Sequence, residues 1–461
     1  MKNVTLQFKE GNIFPTVIRL IVPAVIAQLI SFIYNVVDRM FVSGIEGIRT
    51  EALAALGIVL PITIIVQAFA NLIGLGGSPR ASFKLGEGDT AGANKCFNNS
   101  VSSLVVIGIV LTVLLNIFAE PIVVLFGCPD DAVQYAVEYL KIYSFGTIFI
   151  ILVQGLNPFI SAQGHSFVAM GTILLGALLN ILLDYIFISV LGMGVKGASL
   201  ATIISQFASF VWVITVFLNK GSIFKFNVRQ MAIDKKVLGG ILFLGLSQFI
   251  MTFTESMIQI VFNVCLKMST GGASSKYTAA LTIMMSALQL ISLPLNGMGF
   301  GIAPFVSYNY GAGNSSRLTK SIKHTFSIAV VFAVLVYSVS MTFPTLYCYI
   351  FNAETEVVEL IEKYLPLFLM GTIMFPIQMC LQNINVALGQ GKTAVILAVM
   401  RKVIILIPLC FILSSAIGFK GVYMSEGIAD LTAGVITGIV IFTTFPRVIK
   451  KRTESLKTCT K

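Results

Sequence analysis

Apolar residues in this chain come in runs of about 20, the length at which a helix crosses the hydrocarbon core of a bilayer, with short polar breaks between them. Twelve such runs can be marked, at 14–42, 51–77, 96–118, 133–159, 167–190, 195–218, 236–265, 277–302, 321–342, 357–386, 394–416 and 421–445. The pattern predicts an all-α membrane protein of twelve transmembrane helices. One run has polar residues at its centre: Gly171 to Val190 reads GTILLGALLNILLDYIFISV, with Asn180 and Asp184 four apart. That spacing puts amide and carboxyl on one helix face, one turn apart. An ionisable residue inside a spanning helix costs about 3 kcal/mol on insertion scales, and by default it marks a transport or proton pathway.

The pattern also repeats. Shifted by 225 residues, 54–95 lies over 279–320 without a gap, pairing Asn71 with Asn296, Gly74 with Gly299, Gly76 with Gly301, Pro79 with Pro304, Gly86 with Gly311 and Gly88 with Gly313. The same offset pairs Tyr139 with Tyr364, Gly146 with Gly371 and Gly164 with Gly389. A register held over several spans is an internal duplication. The expected organisation is an N-lobe at 1–218 holding spans 1–6, a polar basic linker at 219–235, and a C-lobe at 236–461 holding spans 7–12 and a basic tail. Six spans per half is an even number, so the two six-helix lobes should be related by a pseudo-two-fold axis along the membrane normal. Such parallel repeats belong to transporters that rock about a central cavity.

Composition narrows the function. The chain is 56% hydrophobic and 11% charged, with mean hydropathy +0.92. Its net charge of +11 is concentrated in the linker (Lys220, Lys225, Arg229, Lys235, Lys236) and the tail (Arg447, Lys450, Lys451, Arg452). By the positive-inside rule this is topology and not a nucleic-acid surface, and it places both termini and the linker in the cytoplasm of a plasma-membrane protein. The cysteines have no metal-ligand spacing and read as reduced small hydrophobes. With His165 and His324 as the only histidines, a zinc site or a Ser-His-Asp arrangement is hard to build, which argues against an integral-membrane enzyme.

Asp38 sits beside Arg39 at the end of span 1, in YNVVDRMFVSG. It reads either as an interfacial ion pair or as a second carboxylate facing Asp184 across the bundle. Together with the GLGGSPRASFKLGEGD turn after span 2, its copy GFGIAPFVSYNYGAG after span 8, and NILLDYIFI in span 5, this segment resembles the MATE (multidrug and toxic compound extrusion) transporters, over essentially the whole chain. The resemblance to the prokaryotic branches implies a secondary active antiporter. It would export organic, often cationic compounds in exchange for H⁺ or Na⁺ without a cofactor, and a monomer is the default expectation. It also maps the family's N-lobe cation site onto Asp38, Asn157, Asn180, Asp184 and Thr202, with Na⁺ at Asp38, Asn180 and Asp184 if Na⁺ is the ion. A donor set of oxygens alone suits a hard ion or a proton, not a soft transition metal.

The second half is not a chemical copy. Asn263 stands where Asp38 would repeat, and Leu409 where Asp184 would. Candidate C-lobe contacts for substrate or cation are Glu255 in span 7, Gln378 and Gln382 in span 10, and Asp430 in span 12. Glu426 and Asp430, again four apart, face either the cavity or a hydrated outer interface. A lipid-linked saccharide flippase of the same superfamily would line its cavity with Arg or Lys to hold pyrophosphate. The spans read as almost free of basic residues, which disfavours that alternative.

Overall fold

A computed structural model describes residues 8–45, 49–270, 275–351 and 355–459. Among these, helices account for nearly all of the chain and there is no strand. Six long helices make up the first half: α1 (Ile13–Ser43), α2 (Arg49–Gly86), α3 (Thr90–Ile117), α4 (Asp130–Ala162), α5 (Ser166–Asp184) and α6 (Gly194–Leu218). The second half contains α7 (Lys235–Thr270), α8 (Ser275–Gly311), α9 (Ser315–Thr342), α10 (Thr355–Leu369), α11 (Gly391–Val399) and α12 (Phe419–Cys459). Eleven spans are each long and apolar enough to cross a membrane. A twelfth is α10 with its continuation to Ala387, broken by a 43° bend at Phe375. The chain is a multi-pass membrane protein.

The duplication is visible in the backbone. Thr90 and Ser315 begin helices of 28 residues each, 225 residues apart. Their N-caps match: Asp89 accepts from the Gly92 N–H, and Asn314 accepts from the Arg317 N–H at the equivalent position. Each cap satisfies one of the amides that a helix start leaves open. The turns before them need a left-handed residue, supplied by Gly88 (φ 82°) and Gly313 (φ 70°). Even a side-chain bond repeats, with Asn157 Nδ2 donating to the Ala169 carbonyl at 3.1 Å and Gln382 Nε2 to the Ala394 carbonyl at 3.2 Å.

Contacts divide the chain into two units, but not at the linker. The first comprises the described residues before Asn12 together with Ile26–Phe253; the second comprises Asn12–Val25 and everything described from Thr254 onward. Each unit therefore contains the first turns of the other half's leading span. The equivalent glycines Gly76 and Gly301 explain this. In the first unit, a Cβ on Gly76 of α2 would overlap the Ile241 carbonyl at the start of α7. In the second, a Cβ on Gly301 of α8 would press on the Leu20 carbonyl and Ile21 Cα of α1. Small residues let spanning helices approach backbone to backbone, and here the same position does so twice.

The linker is tied to the first unit by a row of amides on α3. Asn94 Oδ1 accepts from the Lys225 N–H at 2.8 Å. Asn98 Oδ1 accepts from the Asn227 N–H at 2.9 Å, while its Nδ2 donates to the Lys225 carbonyl at 3.0 Å. Asn99 pairs in the same two-sided way with the Asp234 N–H (2.7 Å) and the Gln230 carbonyl (3.1 Å). These side chains read the linker backbone as a neighbouring strand would. Asp234 closes the strap at the start of α7. Its carboxylate is held down to about 2, first by Lys95 Nζ at 2.6 Å and then by the Val237 and Lys236 amides.

Candidate functional site

In the first unit α1, α4, α5 and α6 bring one polar group together inside an apolar bundle. Asp38 and Asp184 approach each other carboxyl to carboxyl, 6% and 0% exposed. Asn180 lies one turn before Asp184 on α5, as its spacing requires. With the amide oriented to satisfy both ends, its Nδ2 donates to Asp184 Oδ2 at 3.0 Å and its Oδ1 accepts from the Thr202 N–H at 3.2 Å. The Thr202 hydroxyl donates to the Ala198 carbonyl at 3.1 Å. Tyr139 of α4 lies beside Thr202, and Tyr34 of α1 stands within electrostatic reach of both carboxyls.

Of the five sequence-derived residues, four therefore join. Asn157 is engaged elsewhere, its Nδ2 on Ala169 and its Oδ1 without a partner. The two readings of Asp38 also separate here. Arg39 is exposed and, among the described residues, makes no ion pair within 4.0 Å, while Asp38 is buried against Asp184. Two phenols, Tyr34 and Tyr139, stand within electrostatic reach of the pair, and nothing in the apolar pattern of the sequence singled them out.

Chemically, two carboxyl groups buried against each other need one positive charge between them, a proton or a hard cation. Asp38 Oδ1 and Asp184 Oδ1 each lack any hydrogen-bond partner. A buried acceptor left open costs about 1–3 kcal/mol, so the arrangement is one that a proton or hard ion would complete. Just past Asp184 the helix widens into a π turn at Tyr185–Val190. Such widened turns shift the register of the residues after them and recur at functional sites.

The second unit holds charge of a different kind. Its α11 is interrupted by a π segment at Met400–Leu406, which carries Arg401 and Lys402 into the interior at 5% and 6% exposure. Arg401 Nε donates to Asp430 Oδ1 at 2.8 Å, and its guanidinium lies 5.3 Å from the Phe375 ring. Lys402 Nζ stands 3.5 Å from Glu426 Oε1. The expectation that the spans are almost free of basic residues fails here, and so does a hydrated outer position for Glu426, which is 0% exposed. The signal was present in the sequence, since Arg401 and Lys402 interrupt an apolar run from Ala394 to Leu409.

The remaining candidates are dispersed. Gln378 donates to the Asp430 backbone carbonyl and leaves its Oε1 open. Gln382 donates to Ala394. Glu255 on α7 is exposed, forms no ion pair among the described residues, and feels Arg401 at a distance. No group of three His, Cys, Asp or Glu side chains able to hold a metal occurs among the described residues.

The profile of the MatE family matches residues 23–186 and 248–412, once in each half. The chain is 28% identical over 436 residues to the multidrug export protein MepA of Staphylococcus haemolyticus (strain JCSC1435), covering 94% of each chain. To MepA of Staphylococcus saprophyticus it is 26% identical over 452 residues, covering 98% of each. Among solved structures, the fold is similar to that of a MOP superfamily transporter from Pyrococcus furiosus Vc1 (DSM3638). The TM-score is 0.89 at 23% identity, over 97% of this chain and 99% of that one.

Proposed function

The chain belongs to the MatE family, and on that premise we propose that it is a secondary active multidrug efflux transporter, an antiporter that exports organic, often cationic compounds in exchange for H⁺ or Na⁺. It is a transporter and not an enzyme. The multidrug part of this reading is supported by relatives named for multidrug export at 26–28% identity over nearly their whole length. Antiport is supported by one observation above all, the buried Asp38–Asp184 contact with open acceptor oxygens on both sides.

In this reading Asp38, Asn180, Asp184 and Thr202 form the coupling site, and Asn157, engaged with Ala169, is left out of it. A proton or Na⁺ entering there neutralises the carboxyl pair. It can drive export only by binding one conformational state better than the other. Span 1, which carries Asp38 and contains Pro23, is the element whose bend this charge would bias. In the second unit Glu255 is an exposed acid on α7, suited to a cationic substrate. Gln378, Gln382 and Asp430 are buried and bonded within the unit, and we give them a supporting part. The protein works as a monomer in the plasma membrane with both termini cytoplasmic, as the basic linker and tail favour. It needs no cofactor. A pyrophosphate-binding flippase is not favoured by Arg401 and Lys402, because both are matched by acids.

The test is accumulation of a fluorescent cationic dye in inside-out vesicles under an imposed Na⁺ or pH gradient. Uptake under one gradient, lost in Asp184→Asn, supports the reading and names the ion. Uptake by Asp184→Asn at the full rate would refute it.

A further inference from the structure

Acids buried in a membrane-spanning bundle need positive charge, and in the second unit the chain supplies it from its own side chains. Asp430 holds Arg401 Nε at 2.8 Å. Glu426 Oε1 lies 3.5 Å from Lys402 Nζ and 3.9 Å from an Arg401 terminal nitrogen. All four side chains are at most 7% exposed, and their charges cancel. Glu426 is the looser partner, because neither of its carboxylate oxygens makes a hydrogen bond. What holds it is attraction to two nearby cations. A lysine ammonium is a compact point charge on a flexible stem, the side-chain group that most resembles a free monovalent ion.

The cluster is not inherited from the repeat. At the equivalent positions the first unit has Gly176 and Ala177 in place of Arg401 and Lys402, and Ala201 and Ser205 in place of Glu426 and Asp430. The first unit's own carboxyl pair forms no ion pair within 4.0 Å among the described residues. One half leaves its buried acids open to an ion from outside, and the other closes them from within.

We propose that Arg401 and Lys402 are tethered counter-cations standing permanently where a coupling ion would bind in the second unit, and that Lys402 is the residue that limits ion binding to the first unit. For transport this deepens the reading of Asp38 and Asp184 as the coupling site. For ion binding it stands by itself. Lys402→Ala removes the ammonium and leaves its space beside Glu426, while Arg401 stays with Asp430. A free monovalent cation then takes the vacated place.

The experiment is equilibrium binding to the purified full-length chain in detergent, with radioactive Na⁺ and, by calorimetry, ammonium and methylammonium. It is done in the Asp184→Asn background, so that the first-unit site contributes nothing. Asp184→Asn alone is expected to bind no ion. Asp184→Asn with Lys402→Ala is expected to bind one monovalent cation per chain, and adding Glu426→Gln is expected to abolish that binding. A second comparison uses Lys402→Met with Glu426→Gln, which removes the charge pair with little change of volume and serves if Lys402→Ala does not fold. Its apparent affinity for the driving cation in dye transport should stay within about twofold of wild type. The proposal is overturned if Asp184→Asn alone binds a cation that Glu426→Gln removes, if a folded Lys402→Ala variant gains no site, or if the neutral double variant shifts the ion dependence about tenfold. Absence of ion binding in the wild type would count against the antiport reading only, because the Lys402→Ala comparison is scored without it.

Discussion

The two units share a register of 225 residues, matching caps and matching turns, yet they treat buried charge in opposite ways. The first brings two acids together with no ion pair to a base among the described residues. The second matches two acids to two bases. Each does so beside a π turn, after Asp184 in one and around Arg401 in the other, so the widened turn is common while its position and charge are not. A duplicated scaffold has kept its packing and specialised its electrostatics. One half leaves its buried acids without an ion pair among the described residues, and the other matches its acids to a buried arginine and lysine.

The largest expected effect probes that contrast directly. Arg401→Met leaves Asp430 buried and unmatched, which should destabilise the protein by about 3–5 kcal/mol, as breaking one side of a buried ion pair does. Asp38→Asn removes one of two like charges and should leave stability within about 1 kcal/mol of wild type. Thermal unfolding in detergent compares the two, and equal losses would break the contrast. Next in size is a test of what the halves share. Gly76→Ala and Gly301→Ala each place a methyl group against a backbone carbonyl, and each should cost about 1–3 kcal/mol. A cost at only one of them would show that the close approach is not a property of the repeat.

Smaller again is the strap; where Asn98 would repeat, the second half has Lys323. Asn98→Ala removes two bonds to the linker backbone and should weaken its local protection by about 1–3 kcal/mol, seen as faster hydrogen exchange at Lys225 and Asn227. The equivalent Lys323 is exposed, and Lys323→Ala should change nothing. The smallest effect is acid sensitivity of the same strap. The Asp234 carboxyl is lowered from 3.8 to about 2 in the folded chain, so its contribution is present above about 4 and is lost as the pH falls toward 2. Exchange at the start of α7 should quicken in that window, and Asp234→Asn should show the quickened rate already at neutral pH.

Much of this was legible in the sequence because it is written along the chain. Runs of about 20 apolar residues dictate spans, and an amide four residues before an acid dictates a shared face. Asp184 and Asn180 could be read for that reason, as could the duplication. Glu426 with Asp430 could be read in the same way, whereas Arg401 and Lys402, though they interrupt an apolar run, sat in spans read as almost free of basic residues. What joins them is contact between α11 and α12, and no periodicity within one helix reports on a partner in another. The exchange of span ends between the units escaped for the same reason, since it depends on which backbone Gly76 and Gly301 admit. The linker's polarity announced a solvated connection, while its attachment to Asn94, Asn98 and Asn99 required α3 to be in place.

The most direct test is gradient-driven dye uptake in proteoliposomes by two neutralised proteins side by side, Asp38→Asn with Asp184→Asn and Lys402→Met with Glu426→Gln. If coupling resides in the first unit, the former takes up no dye above the gradient-free rate and the latter retains the wild-type dependence on the driving ion. Loss of ion-driven uptake in the second protein, with uptake kept in the first, would contradict the account.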